Sequence, residues 1–339
     1  MVKQLNHKVI QLQIKYHQTN MIKKYENIKQ SLDELRNIGI PKGENTGFKK
    51  LDELYSLKQG SFTFILAPPH HGKSEFCFEL VINQAVKYGK KSLIYSPETG
   101  SVEDIYSELI HKITGKPFYK SITDHVDDRK YYEAINYIDE YFSIVDGDER
   151  GYSFKDLTEL VTEEKIIMSD PYNELIHDMT EFGSRQDLYI EKLCSDIRRY
   201  CKKNKKHCLQ TLHPAHQQIV IEKGFRYYPM PMAREAAGGQ ALLRKAMTWI
   251  NMWRPPSGML NESGMPYRDN EVLINIEKAK PKGVSKRGTI SLFFDWKRNR
   301  YYEEGEYKDL YSFEHEKATQ PNSFREPLVE NKPLNDSPF

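Results

Sequence analysis

At 339 residues, with 50 lysines and arginines against 48 aspartates and glutamates, the chain has a formal net charge of +2. That balance favours no partner class, and any contact with nucleic acid must rest on local clusters of charge. Four cysteines are too few to hold a chain of this length as a disulfide scaffold. There is no apolar run resembling a signal peptide, and none of the roughly 18 residues that a membrane span needs, so the expectation is a soluble cytoplasmic protein with no membrane contact.

Residues 1–43 carry apolar side chains near helical spacing (Val9, Leu12, Tyr16, then Ile22, Tyr25, Ile28, Leu32, Leu35) up to a break at Gly39, Pro41 and Gly43. This predicts a helical N-terminal extension. From residue 44 to 312 strand-like runs alternate with helical ones. Phe62–Leu66 is followed by a helix over Ser74–Val86, and Ser92–Tyr95 by a helix over Val102–Ile113. Further strands are expected at Ser143–Val145, Lys165–Met168 and His207–Leu212, with helices near Tyr131–Tyr141, Phe154–Val161 and Tyr189–Cys201 between them. Alternation of this kind predicts an α/β fold with a mostly parallel central sheet. Thr248–Trp253, Glu271–Glu277, Thr289–Phe294 and Arg300–Tyr302 read as strands joined by turns, which extend the sheet in antiparallel fashion. Residues 313–339 are polar and punctuated by Pro321, Pro327, Pro333 and Pro338, the composition of a disordered tail.

Ala67-Pro68-Pro69-His70-His71-Gly72-Lys73-Ser74 lies between a predicted strand and a predicted helix, where a Walker A phosphate loop has to sit. Backbone N–H groups and the helix N-terminus cradle phosphates there. Lys73 reaches the β/γ oxygens of ATP, and the Ser74 hydroxyl ligates Mg²⁺. Glu98, just past the second strand, is placed to orient an attacking water. The apolar run Ile166-Ile167-Met168-Ser169 ends in Asp170, which suits a water-mediated Mg²⁺ carboxylate. His213 ends the next strand, at the position of a γ-phosphate sensor. The bland readings are a helix-start carboxylate for Glu98 and a structural histidine for His213. Cys194, Cys201, Cys208 and His207 invite a metal site, but buried small side chains explain their spacing better.

Taken in order, these segments resemble the RecA-like ATPase domain of DnaB/Twinkle-type replicative helicases. Thr46-Gly47-Phe48 with Leu51-Asp52 is similar to the family's entry into the first strand, Ser96-Pro97-Glu98 to its Ser-Leu-Glu, Thr211-Leu212-His213 to its sensor strand, and Gly238-Gly239-Gln240 to a helix start. The match runs from about residue 44 to 303. It implies that Glu98 is the catalytic base and that Arg254 packs on the adenine. It also implies a ring, a homo-hexamer in which a helix such as Met21–Leu35 docks on the neighbouring subunit. The family's trans-acting arginine finger falls on Lys280, with Lys278 and Arg287 as substitutes; a lysine lacks the bidentate fork. The resemblance places two loops in the channel, 171–185 and 214–236, so Arg185, Lys223, Arg226 and Arg234, with Phe225, Tyr227 and Tyr228, are candidates for single-stranded DNA. A solvated loop with a hydrophobic foot is the plainer reading of the second.

Partners implied are single-stranded DNA, further copies of the chain, and a primase, polymerase or single-stranded-DNA-binding protein. Asn335–Phe339 resembles the acidic tail of the last. The chain starts close to the linker helix, so neither a primase nor an N-terminal helical domain is expected. A usage rich in Lys, Ile, Asn and Tyr fits an AT-rich bacteriophage genome, and hence a host-cell cytoplasm. Competing readings are a RecA-like recombination or repair ATPase, a nucleotide-binding scaffold or helicase loader with weak hydrolysis, and a RecA-like regulatory kinase.

Overall fold

The computed structural model describes residues 22–215, 217–281 and 285–305. The readings for residues 1–21 and for the tail from 313 onward lie outside them. The chain divides into two units between Lys42 and Gly43. In the first, helix α1 (Tyr25–Ile38) buries none of its residues; Tyr25, Ile28, Leu32 and Leu35 form an exposed apolar stripe.

The second unit begins with a knot around the Thr-Gly-Phe and Leu-Asp pattern. Asp52, at the end of the short helix α2 (Lys49–Asp52), accepts hydrogen bonds from the Thr46 amide and hydroxyl. Asn83 donates to the Thr46 carbonyl at 2.9 Å. Gly47, at φ +106°, leaves no room for a Cβ against the Asn83 amide, so the tight approach requires glycine. The pattern is a structural lock that seats the chain on the next helix.

Nine strands form one sheet. Six run parallel: β1 (Ser61–Leu66), β2 (Ser92–Tyr95), β3 (Phe142–Ile144), β4 (Ile166–Ser169), β5 (His207–Leu212) and β8 (Thr248–Trp253). β9 (Glu271–Lys278), β10 (Gly288–Asp295) and β11 (Arg300–Tyr302) continue it antiparallel, in the spatial order β11-β10-β9-β8-β1-β5-β4-β2-β3. β1 is buried at every residue, as a strand covered on both faces must be. Its side chains alternate between two cores. Ile65 packs with helices α3 (Lys73–Tyr88), α4 (Val102–Thr114) and α5 (Asp128–Tyr141); Phe62, Phe64 and Leu66 pack with α6 (Phe154–Leu160), α7 (Gln186–Asn204) and α8 (Gly239–Lys245). Sequence signals set several helix starts. Ser101 with Asp104, and Ser153 with Asp156, form capping boxes at α4 and α6. Cys194, Cys201 and Cys208 pack in the second core, the last two with their sulfurs 3.2 Å apart.

The alternating elements agree with the sequence reading. A two-stranded hairpin, β6 (Val220–Glu222) and β7 (Phe225–Tyr227), was not expected. It stands inside the 214–236 loop and is largely exposed, so no burial pattern marks it. Its turn has Lys223 and Gly224 both at positive φ, the requirement of a tight type I′ connection.

At the base of β5, buried His207 donates from Nδ1 to the Lys58 carbonyl (2.8 Å), and its Nε2 faces the Thr63 and Tyr55 hydroxyls at 3.1 and 3.3 Å. Burial pushes its pKa down to about 4, from an ordinary 6.5. Between those values the unfolded chain binds a proton that the folded chain refuses. Stability is therefore full above about pH 6.5 and falls as pH drops toward 4, by up to about 1.4 kcal/mol per pH unit. Urea midpoints at pH 7.5, 6 and 5 should follow that course in the wild type and flatten in His207→Gln.

Candidate nucleotide site

The loop 67–72 leaves the end of β1 and enters α3 at Gly72, which adopts the left-handed region (φ 81°). A Cβ there would meet the Tyr301 hydroxyl at 2.2 Å, so both backbone and space demand glycine. No side chain caps the helix. Its first amides, at Lys73, Ser74 and Glu75, have no acceptor within the helix by geometry, and with the helix dipole they suit an anion. Ala67 and Pro68 are buried, and Pro69 and His70 are exposed. His71 accepts the Arg254 backbone N–H at Nδ1 (3.0 Å), and burial together with the charges of Arg254 and His70 brings its pKa down to about 4. A neutral imidazole is what that hydrogen bond requires.

Four predicted residues meet at the carboxyl ends of β2, β4 and β5. Asp170, fully buried, accepts from Ser96 Oγ at 3.0 Å and from Thr211 Oγ1, and lies 3.7 Å from Lys73 Nζ. Lys73 donates to Glu98 at 3.1 Å, and His213 Nε2 reaches both Glu98 oxygens at 3.1 and 2.9 Å. Burial alone raises the Glu98 pKa. Hydrogen bonds and charge from His213 and Lys73 outweigh it and hold the carboxyl below its usual range. Glu98 is thus a carboxylate at neutral pH. These residues fit a nucleoside triphosphate and a divalent ion: uncapped amides, a cation and a buried carboxyl group lie together, with Ser74 in the first turn of α3. Among the described residues no cluster of three or more His, Cys, Asp and Glu could hold a metal alone.

Two partners escaped the sequence reading. Tyr301, from β11, donates to the Gly72 carbonyl at 3.0 Å and packs edge-on to Phe76. Burial pushes its phenol pKa well up, which keeps it a donor. Trp296, between β10 and β11, lies under Arg254, whose guanidinium is 4.6 Å from the ring centroid and also donates to the Asp269 carbonyl at 2.9 Å. Tyr301 comes from a strand recognised in the sequence and Trp296 from the turn before it, but nothing local announces that the sheet edge folds back on the loop.

The remaining candidates lie outside this hydrogen-bonded cluster. Arg185 precedes α7 and pairs with Asp187 at 2.8 Å; Lys223, Arg226 and Arg234 are exposed on the 214–236 segment. Lys280 is exposed just past β9, and so is Arg287 before β10. Lys278 is committed elsewhere: its Nζ donates to the carbonyls of Leu243 and, at 2.9 Å, Arg244. Those carbonyls are the open C-terminus of α8, so Lys278 serves as their donor within its own chain.

No protein-family model matches the chain. Its sequence is 27% identical over 198 residues to the chloroplastic/mitochondrial Twinkle homolog protein of Arabidopsis thaliana, covering 54% of this chain and 27% of that protein. The chain therefore spans about a quarter of the length of this curated relative. In structure it is similar to a separately solved ATPase domain (TM-score 0.63, 17% identity, covering 83% of this chain and 99% of that one). It is also similar to a DnaB-like replicative helicase whose interactions with primase have been described (TM-score 0.63, 19% identity, covering 88% and 73%). The chain is similar in sequence to part of a Twinkle homolog and shares the RecA-like α/β fold of a DnaB-like ATPase domain.

Tyr301→Phe removes one buried donor to the loop, a loss of about 1 kcal/mol. Binding of ATP, followed by calorimetry, is expected to weaken about fivefold; unchanged affinity would show that the hydroxyl does not set the loop.

Proposed function

We propose that the chain is the ATPase motor of a replicative-type DNA helicase that translocates on single-stranded DNA as a homo-hexameric ring. The observation that carries this reading is the convergence of Lys73, Glu98, Asp170 and His213 beside an uncapped helix N-terminus, in a chain similar to a Twinkle homolog. On this reading the phosphates of ATP lie along 67–74 and compete for Lys73, which releases Glu98. Glu98 then orients the attacking water, and His213 reports the γ-phosphate to the 214–236 loop that follows it. Ser74 and Asp170 would hold Mg²⁺, which would supply neutralisation of phosphate charge. Arg254, braced on Trp296, offers its face to the adenine. Lys280 is the cation given to the neighbouring subunit's site, weaker than an arginine because it lacks the fork.

Arg185, Lys223, Arg226 and Arg234 belong to the proposed DNA path, with Tyr227 and Tyr228 as stacking surfaces. The apolar stripe of α1 is proposed to dock on an adjacent subunit. A primase, polymerase or single-stranded-DNA-binding partner, a cytoplasmic setting and a phage origin belong to the same reading. Among the described residues no helix is long and apolar enough to cross a membrane. Lys280 favours one second reading, a nucleotide-binding loader with weak hydrolysis.

ATP turnover with and without single-stranded DNA, with mass photometry on the same samples, tests the proposal. Wild type should form rings whose turnover rises with DNA, and Lys73→Ala should abolish turnover. Glu98→Gln should still bind ATP but hydrolyse it about 10²- to 10⁴-fold more slowly. Tight ATP binding by the wild type without turnover would leave the loader reading in its place.

A further inference from the structure

The loop 214–236 and the segment that carries Lys280 are far apart in sequence, yet two consecutive β9 residues hold both ends of the block between loop and sheet. The loop closes at its base, where Ala215 N–H donates to the Glu235 carbonyl at 2.7 Å and Pro214 bridges Ala236. Its last turn, the 3₁₀ segment Ala233–Glu235, is packed directly on the start of α8. A Cβ on Gly239 would stand 1.8 Å from the Ala233 carbonyl oxygen. Turn and helix therefore move as one body.

Glu277 takes the turn end of this body. Its Oε2 accepts from the Ala233 backbone N–H at 3.3 Å and from Asn251 Nδ2 at 2.7 Å. Asn251, on β8, is fixed in turn by the Trp249 indole N–H at 2.7 Å. Lys278 takes the other end through the Leu243 and Arg244 carbonyls that close α8. Burial and the nearby Lys280 charge bring the Lys278 pKa down to about 8, in keeping with an ammonium drawn against helix carbonyls and away from water. Two residues further on stands Lys280, exposed.

We propose that Glu277 and Lys278 are positioning residues which transmit the state of the 214–236 loop, through the Ala233–Lys245 body, to Lys280. This rests on the helicase reading above, in which the loop meets single-stranded DNA and Lys280 acts across the subunit boundary. A displacement of the loop pulls on Ala233. The carboxylate and the ammonium, one residue apart on a strand, convert it into a shift of the β9 end rather than a local rearrangement. DNA in one subunit thereby sets the cation offered to the next.

The test compares basal turnover, turnover saturated with oligo(dT), oligo(dT) affinity and thermal midpoint for wild type, Glu277→Ala, Glu277→Gln and Lys278→Met. Glu277→Ala is expected to keep the basal rate and DNA affinity within about twofold while losing most of the stimulation. Glu277→Gln, which retains an acceptor for Ala233 and Asn251, should recover much of it. Lys278→Met, which keeps the apolar stem, should lower the stimulated-to-basal ratio by several-fold. Stimulation as in wild type for Glu277→Ala overturns the proposal, as does a parallel loss of basal and stimulated rates with a lowered midpoint, the mark of a purely structural role. If Glu277→Ala does not fold, Lys278→Met decides, and an unchanged ratio there overturns the proposal. A wild type that DNA fails to stimulate is a different result: it removes the helicase reading and this inference with it.

Discussion

Asp170 is a carboxyl group with no exposed surface, and a buried polar group persists only when it is paired and hydrogen-bonded. Its partners come from three places in the chain, Ser96 after β2, Thr211 on β5 and Lys73 at the start of α3, while Asp170 itself follows β4. Satisfying one carboxylate therefore fixes the relative positions of three strand ends and of the phosphate loop. Glu98 and His213 stand on the same strand ends, so their 2.9 Å contact follows from that arrangement. The cost of burying Asp170 is thus offset by a set of contacts that also assembles the site.

A second set of buried charges secures the loop from below. Glu79, inside α3, pairs with Arg300 at 3.2 Å and accepts the Tyr301 amide at 3.3 Å. Lys112, fully buried on α4, pairs with Glu75 at 2.6 Å and donates to the Asn299 carbonyl at 2.7 Å. Each set of contacts ties the helices to the β10–β11 turn, which brings Tyr301 to Gly72. Removing one member would strand its partner in a low-dielectric interior, a cost of about 3–5 kcal/mol. The antiparallel edge is in this way part of the candidate site rather than an appendage to the sheet.

The far side of β8 and β9 works differently. Its hydrogen bonds run through amides and one carboxylate, from Trp249 to Asn251 to Glu277, and they end on a backbone N–H of the long loop. Rigid ionic contacts thus hold the phosphate end, while a shorter polar chain joins the loop to the strand bearing Lys280. That asymmetry would suit the motor proposed above, with one end held by ion pairs and the other by a few polar hydrogen bonds.

Much of the fold was legible in the sequence because it rests on local rules. Short apolar runs, helical segments between them, and the loop from Ala67 to Ser74 specify strands, helices and a phosphate turn without reference to distant residues. The residues Lys73, Glu98, Asp170 and His213 could be named for the same reason: each ends a strand or begins a helix, and parallel strands bring such ends together. Other features depended on tertiary structure alone. The sequence marked Arg300–Tyr302 as a strand but not as the support of Gly72, since that contact depends on how the sheet edge curls over α3. It put the family's finger on Lys280 with Lys278 as a substitute, and only the packing of α8, whose open carbonyls take a donor, shows where the Lys278 ammonium goes. The β6–β7 hairpin has only three residues in each strand and is mostly exposed, with Phe225 and Tyr227 half-buried, so its hydrophobic pattern is too short to mark it.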